Sequence, residues 1–497
     1  METSWSTWAS HWKLPACSPL VSVVSIGAAA VVSSWLYRKA RNAWIRRRLG
    51  IPGDVGPCAL AFLKHPQRFQ ENMHSKFGLV FFTQIAGDTV VFVADQKAAG
   101  FVHSVKAAPS VHGTWPPPLR RLLGPQSVAT VNDQNEHNRL RRLVLETVGP
   151  KSIEEHWFNR IQRAFRDLSS RWVENGGTCN AFEDVAAAVW RIMSSGLLGK
   201  DLPPETEDRL LEIIIEFGKG LFAVPIDMGR FSAFGRALQA KQAFGDLVIE
   251  LVQREKPEGI LKTFKEGAHN RHGALDLDTL RTMIWASTDT TIGSSLAFLD
   301  FLMRFFPDEK AALRAEVLDV LGEDGIMSPK ASYAVIREMP ILHAVFLEFI
   351  RWRCLNSINV RETVAALSLP TGNGTHVNLP AGVHIYTSMY FMQRHSCFFS
   401  KPSKVDHRRH LPGANLQGKP SKYDLNLFSV GARQCPGVYV ATLELKMLGI
   451  QGALLDLNPL TTNEKAEEWN PLPFHRPNKP YGFQAKRGDL RISAAGA

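Results

Sequence analysis

The segment Phe428-Ser429-Val430-Gly431-Ala432-Arg433-Gln434-Cys435-Pro436-Gly437 carries the densest chemical signal in the chain. An isolated cysteine is usually a small buried hydrophobe, and Cys17, Cys58, Cys179, Cys354 and Cys397 read that way. Cys435 differs because its neighbours suit a thiolate bound to a metal. Gly431 permits a tight turn that a side chain would obstruct, and Gly437 lets the backbone approach a flat partner closely. Arg433 offers a fixed cation for an acidic group beside that partner. Phe428 can shield the sulfur from water. A helix expected from Val438 would point its positive end at the thiolate.

Three further groupings are unusual. Ala286-Ser287-Thr288-Asp289-Thr290-Thr291 sits inside an apolar run from about Leu277 to Phe305 that reads as one long helix. Polar residues at the centre of a buried helix are costly unless they serve something. They are not a helix N-cap, because apolar helical sequence continues on both sides. Glu348-Phe349-Ile350-Arg351 places opposite charges in an apolar context, and a buried pair of this kind needs a third partner to complete its hydrogen bonds. His137 and Arg141 stand at i and i+4 on one face of a predicted helix.

The cysteine segment resembles the haem-binding loop of cytochromes P450, matching Phe-x-x-Gly-x-Arg-x-Cys-x-Gly at all five fixed positions. The resemblance implies a haem b cofactor with Cys435 as its axial thiolate, which pushes electron density toward bound oxygen. Phe428, Arg433 and Gly437 become cofactor contacts on the same ground. Haem carries two propionates, and His137 with Arg141 matches the family's His-x-x-x-Arg version of the haem-contacting helix; an exposed basic helix face is the alternative. Arg361 stands where the family often places another propionate partner. Glu348 and Arg351 look like the family's Glu-x-x-Arg pair, completed there by a later arginine. Asp406-His407-Arg408-Arg409 occupies that place, so Arg408 and Arg409 compete, with Arg409 favoured because His410-Leu411 follows it. Asp289 and Thr290 resemble the acid–alcohol pair that delivers protons during oxygen activation. Ser287 replaces the family's usual glycine, a departure that narrows or repolarises the oxygen pocket.

These residues need a large scaffold, and the chain supplies one. It has 497 residues, 45% hydrophobic and 21% charged, so general disorder is excluded. The cysteines lie far apart with no CxxC, which excludes a disulfide-stapled secreted domain, a zinc ribbon and c-type haem attachment. The net charge of +11 owes six positives to Arg38, Lys39, Arg41, Arg46, Arg47 and Arg48. They follow an apolar core, Leu20 to Leu36, so the pattern is that of a signal anchor with its basic flank cytoplasmic, not a nucleic-acid binder. The expected domains are 1–48, anchor and basic flank, and 49–497, catalytic body. Ile51 to Pro57 reads as a stiff hinge between them. Val80 to Ile85 and Thr89 to Ala94 form a predicted hairpin through Gly87-Asp88. Long helical runs follow, including Asp208 to Gly218 and Phe234 to Arg254. Between these two, Leu221 to Ile226 is an apolar loop, read as core packing with lipid contact as the alternative. After Val360 the pattern turns to short strands and loops, with one more helix from Val438.

The fold expectation is therefore mainly α with small β-sheets, a P450 fold preceded by one N-terminal transmembrane helix. The function expectation is a membrane monooxygenase, at the endoplasmic reticulum with its catalytic domain cytosolic. Its substrate would be a hydrophobic terpenoid, steroid or other lipid-like metabolite. NADPH electrons would arrive through a separate reductase, because no dinucleotide or flavin fingerprint is present. Lys419, Lys422 and Arg433 offer a basic surface for such an acidic partner. Substrate contacts are expected from Val111 to Leu119, around Pro225 and after Asn359. Ser75-Lys76-Phe77-Gly78 and Pro480-Tyr481-Gly482-Phe483 are most similar to the sterol and bile-acid hydroxylase and prostacyclin synthase branch. The alternative reaction class is a P450-fold peroxide isomerase or dehydratase, which needs no reductase; retention of Asp289-Thr290 argues against it. A non-catalytic haem or sterol binder is a third reading.

Overall fold

A computed structural model describes residues 19–56, 61–62, 64–85, 87–174, 178–198, 201–221, 223–254, 261–262, 276–414 and 428–455, with short strands at 457–459, 469–470, 476–477 and 482–485. The longer helices are α1 (Pro19–Leu49), α2 (Pro66–Phe77), α3 (Gln134–Val148), α4 (Phe158–Glu174), α5 (Ala181–Leu198), α6 (Pro204–Leu221), α7 (Ala233–Arg254), α8 (Leu277–Asp300), α9 (Pro307–Val320), α10 (Pro340–Arg353) and α11 (Val438–Leu454). The main sheet combines β1 (Val80–Ile85), β2 (Asp88–Val93), β3 (Val111–Gly113), β4 (Asn359–Thr363) and β5 (His384–Thr387) in the order β1-β2-β5-β4-β3. Only β2 and β5 run parallel; the other neighbours are antiparallel. The expected helical architecture with minor sheets is what forms.

Helix α8 runs through the centre of the largest apolar cluster, with Ile284, Leu296, Ala297 and Phe298 fully buried. Its sequence continues as a five-residue π-helix, Phe301–Phe305, so the predicted long helix changes pitch rather than stopping. Helix α11 packs on it through two glycines. A Cβ on Gly449 would lie 2.7 Å from the Phe298 ring, and one on Gly452 3.1 Å from Leu299. These pairs show the two helices running in the same direction.

Helix α10 begins at Pro340, and the Glu316 carboxylate accepts the Ile341 and Leu342 N–H groups at 2.7 Å each. A carboxylate there satisfies donors that a helix N-terminus leaves open.

The last part of the N-terminal region packs in a way that its sequence did not indicate. Leu14 to Ser18 lie outside the described residues, and the side chains of α1 are described from Val32 onward. Among the described residues no helix is long and apolar enough to cross a membrane. The end of α1, which spans the boundary expected at residue 48, is docked on the sheet. Asn42 donates to Gly87 O and accepts from both Thr89 N and Thr89 Oγ1, while Arg41 donates to Gly382 O at 2.9 Å. Ile45 and Leu49 are buried in an apolar cluster with Val91 and Val93. The predicted hinge is docked too, because Pro52 O accepts Phe82 N and Asp54 N donates to Phe82 O. A Cβ on Gly53 would sit 2.2 Å from Phe82 O, which explains the glycine. The Leu221 to Ile226 stretch is core packing only in part: Leu221 is buried and Ala223 packs against the core, but Val224 is 71% and Ile226 55% exposed.

Candidate active site

The cysteine loop is a tight reversal ahead of α11. Cys435 N donates to Phe428 O at 2.7 Å, closing the loop on itself. Gly431 has φ +75°, and a Cβ there would lie 1.8 Å from His103 O, so both turn and packing demand glycine. Ser429 also has positive φ, 58°. Phe428 packs against the main apolar cluster. Cys435 is exposed as a residue, while desolvation by the surrounding protein pushes the thiol pKa up, opposed by the Gly437 N–H and Arg141. At Gly437 an added Cβ would meet no atom of the described residues nearer than that sulfur, at 3.8 Å. Packing against protein therefore does not require this glycine. A flat group lying over the sulfur would.

Cations converge beside the loop from three separate segments. Arg433 donates to Val131 O at 2.6 Å, Arg141 to Gln434 O at 2.5 Å, and Arg361 on β4 to Val360 O at 2.8 Å. Burial lowers the pKa of Arg433 to about 10, and burial with the Arg433 charge does the same to Arg361. Neither guanidinium is paired with a carboxylate among the described residues. His137 is buried, its Nδ1 unpartnered, and its pKa is lowered to about 4 by burial and by Arg433, Arg141 and Arg361. Two half-buried arginines close enough to repel, with no acid partner among the described residues, call for an anion. The donor set fits the two propionates of a haem, with one thiol and an unfilled glycine face beside it. His103, which no motif singled out, lines the same recess with His112, Arg361 and Arg433. Arg433 turns inward, so it is not part of a docking surface as expected; Lys419 and Lys422 lie outside the described residues.

On α8, Ser287, Asp289 and Thr290 are half-buried, while Thr288 and Thr291 are buried. Thr290 Oγ1 donates to Ala286 O at 2.6 Å and Ser287 Oγ to Ile284 O at 3.1 Å.

The Glu348–Arg351 pair is fully buried, with a fork of 2.7 and 2.8 Å bonds. Arg351 also donates to Gln393 O, Pro402 O and Lys404 O. The third member is Arg409, whose Nε lies 3.2 Å from Glu348 Oε1; Arg408 is exposed and paired with Asp406. His410 adds a fourth contact, 2.8 Å from Glu348 Oε2. Burial alone would raise the Glu348 carboxyl, but Arg351, His410 and Arg409 together hold it at about 2. No local pattern marks His410 as a member of this cluster, because histidine next to arginine is common and only the fold turns it inward.

Fold and site together fit a haem-thiolate enzyme. The cytochrome P450 family model matches residues 268–482. Abscisic acid 8'-hydroxylase 1 of Oryza sativa subsp. japonica is 26% identical, over 78% of this chain and 79% of its own. Cytochrome P450 26B1 of Danio rerio is 24% identical over 77% and 75%. A solved structure, retinoic acid bound cyanobacterial CYP120A1, superimposes with a TM-score of 0.71 at 20% identity, covering 88% of this chain and 99% of that one. These comparisons support the cytochrome P450 family and a monooxygenase activity, and that family implies haem with thiolate ligation.

Proposed function

We propose that the chain is a membrane-anchored P450 that inserts one oxygen atom from O2 into a hydrophobic small molecule, with Cys435 as the iron ligand. The observation that carries this is the cysteine loop, whose Arg433 stands with Arg361 of β4 and with no carboxylate partner for either among the described residues. His137, Arg141, Arg361 and Arg433 would hold the propionates, while Phe428 and Gly437 would flank the ring. Bound haem would supply the oxygen-activating chemistry. Asp289 and Thr290 would hold and move protons on the open face of α8.

Relatives named for hydroxylating abscisic acid, and a neighbour with retinoic acid bound, support a terpenoid-like substrate, since both molecules are terpenoid acids. NADPH electrons would come through a separate reductase. Anchoring at the endoplasmic reticulum rests on Leu20 to Leu36 with its basic flank, and on exposed Val224, Ile226, Met228 and Phe231 as a second lipid contact. The test is Cys435→Ser. It should abolish the thiolate-type spectrum of the reduced carbon monoxide complex, and product formation with reductase and NADPH. Retention of both would overturn the assignment.

A further inference from the structure

The hydroxyls of α8 share one bonding habit. Ser287 Oγ and Thr288 Oγ1 both donate to Ile284 O, Thr290 Oγ1 to Ala286 O, and Ser294 Oγ to Thr290 O. A hydroxyl has one proton to give. Once that proton is on the helix's own carbonyl, the oxygen can only accept from the other side. Thr288 is buried, but Ser287, Thr290 and Ser294 are half-buried. Their i, i+3, i+7 spacing puts them on one face. The open face of this helix is therefore a stripe of acceptors.

From this we infer that Ser287 is a positioning residue, forming with Thr290 a notch that holds one water by both of its hydrogens. The inference rests on the proposed reading of this face as the oxygen side of the haem. Residues three apart on a helix have Cβ atoms about 5–6 Å apart. The hydroxyl oxygens stand one bond beyond those Cβ atoms, and one water donating two bonds of about 2.8 Å at its tetrahedral angle bridges acceptors about 4.4 Å apart. The family pattern has glycine in place of Ser287, and glycine offers no second acceptor, so the notch is this chain's own. A water held in this way shows lone pairs, not hydrogens, to the cavity. That makes the resting face unfavourable to a carbonyl and favourable to a donor. A proton could leave through Thr290 only after one hydroxyl has rotated off its carbonyl.

The experiment uses the haem-loaded, substrate-free full chain, in which water is the donor available to the notch. The infrared stretch of carbon monoxide on the reduced protein is recorded in H2O and D2O for the parent, Ser287→Ala, Ser287→Thr and Thr290→Ala. A lone pair near the ligand oxygen raises this frequency, and a hydrogen lowers it. Removing the Ser287 hydroxyl frees one water hydrogen, so Ser287→Ala should shift the band down and make it more sensitive to deuterium. Losing one of two hydrogen bonds should also reduce water retention about fivefold. Ser287→Thr keeps the hydroxyl and should restore the parent band. Alanine is a better helix former than serine, so loss of fold is not expected. An unchanged band in Ser287→Ala beside a shifted one in Thr290→Ala would overturn the inference and leave the oxygen-side reading standing. A Ser287→Thr band like that of Ser287→Ala would also overturn it. No shift in any variant would sink both readings.

Discussion

The docked end of α1 should make the last residues before Leu49 part of the catalytic body, not a removable anchor. Two truncations separate these possibilities: removal of residues 1–37, which keeps Arg38 onward, and removal of residues 1–48. The second discards Ile45, which is fully buried, and burial of such a side chain contributes about 1.5–3 kcal/mol. It also discards Asn42, which makes three hydrogen bonds to Gly87 and Thr89. At about 1 kcal/mol each these add about 3 kcal/mol, and the buried Thr89 N–H would lose its partner. The difference between the truncations is thus about 5 kcal/mol, a large part of the 5–15 kcal/mol typical of a folded protein. The assay is the urea concentration that halves the thiolate-type absorbance of the reduced carbon monoxide complex, measured in detergent. The shorter truncation should match the full chain, and the longer one should fall well below it. Equal midpoints would refute the reasoning and return the body's boundary to residue 48. Asn42→Ala in the full chain should reproduce roughly half of the loss.

Arg409→Ala should cost about 3–5 kcal/mol and lower the fraction of purified chain carrying haem, because it strips a partner from a buried carboxylate. Arg408→Ala, at an exposed pair, should stay within about 0.5 kcal/mol. His74 is held at about 4, chiefly by burial, against an ordinary 6.5, so its neutral form belongs to the fold. Its contribution is complete above pH 6.5 and is lost as pH falls toward 4. His74→Gln should flatten the pH dependence of the urea midpoint there, removing about 1.4 kcal/mol per pH unit. Thr290→Ala should leave haem content unchanged while less product forms per NADPH consumed and peroxide rises; an unchanged ratio would deny Thr290 its proton role.

Local sequence was enough for whatever depends on neighbours along the chain. The Phe428 to Gly437 spacing announced a turn that presents Cys435, and β-rich runs around Gly87-Asp88 gave the hairpin, with the first strand at its observed limits and the second one residue late. Helical periodicity put His137 and Arg141 on one face, and the long apolar run around Asp289-Thr290 gave α8. Contacts between distant segments were decided only by the fold. The residues that follow it favoured Arg409 over Arg408, but which side chain the 3-10 turn directs inward to Glu348 was settled by the fold. His410 and His103 joined their clusters for the same reason. A basic run after an apolar segment reads as a membrane flank, yet Arg41 and Asn42 find backbone partners on β2 and near β5, so part of that flank is interior. Burial is a property of the assembled chain: the composition of Leu221 to Ile226 is that of a core, and the tertiary structure leaves Val224 and Ile226 facing out. Apolar character can be read residue by residue, but the surface that covers it comes from elsewhere in the chain.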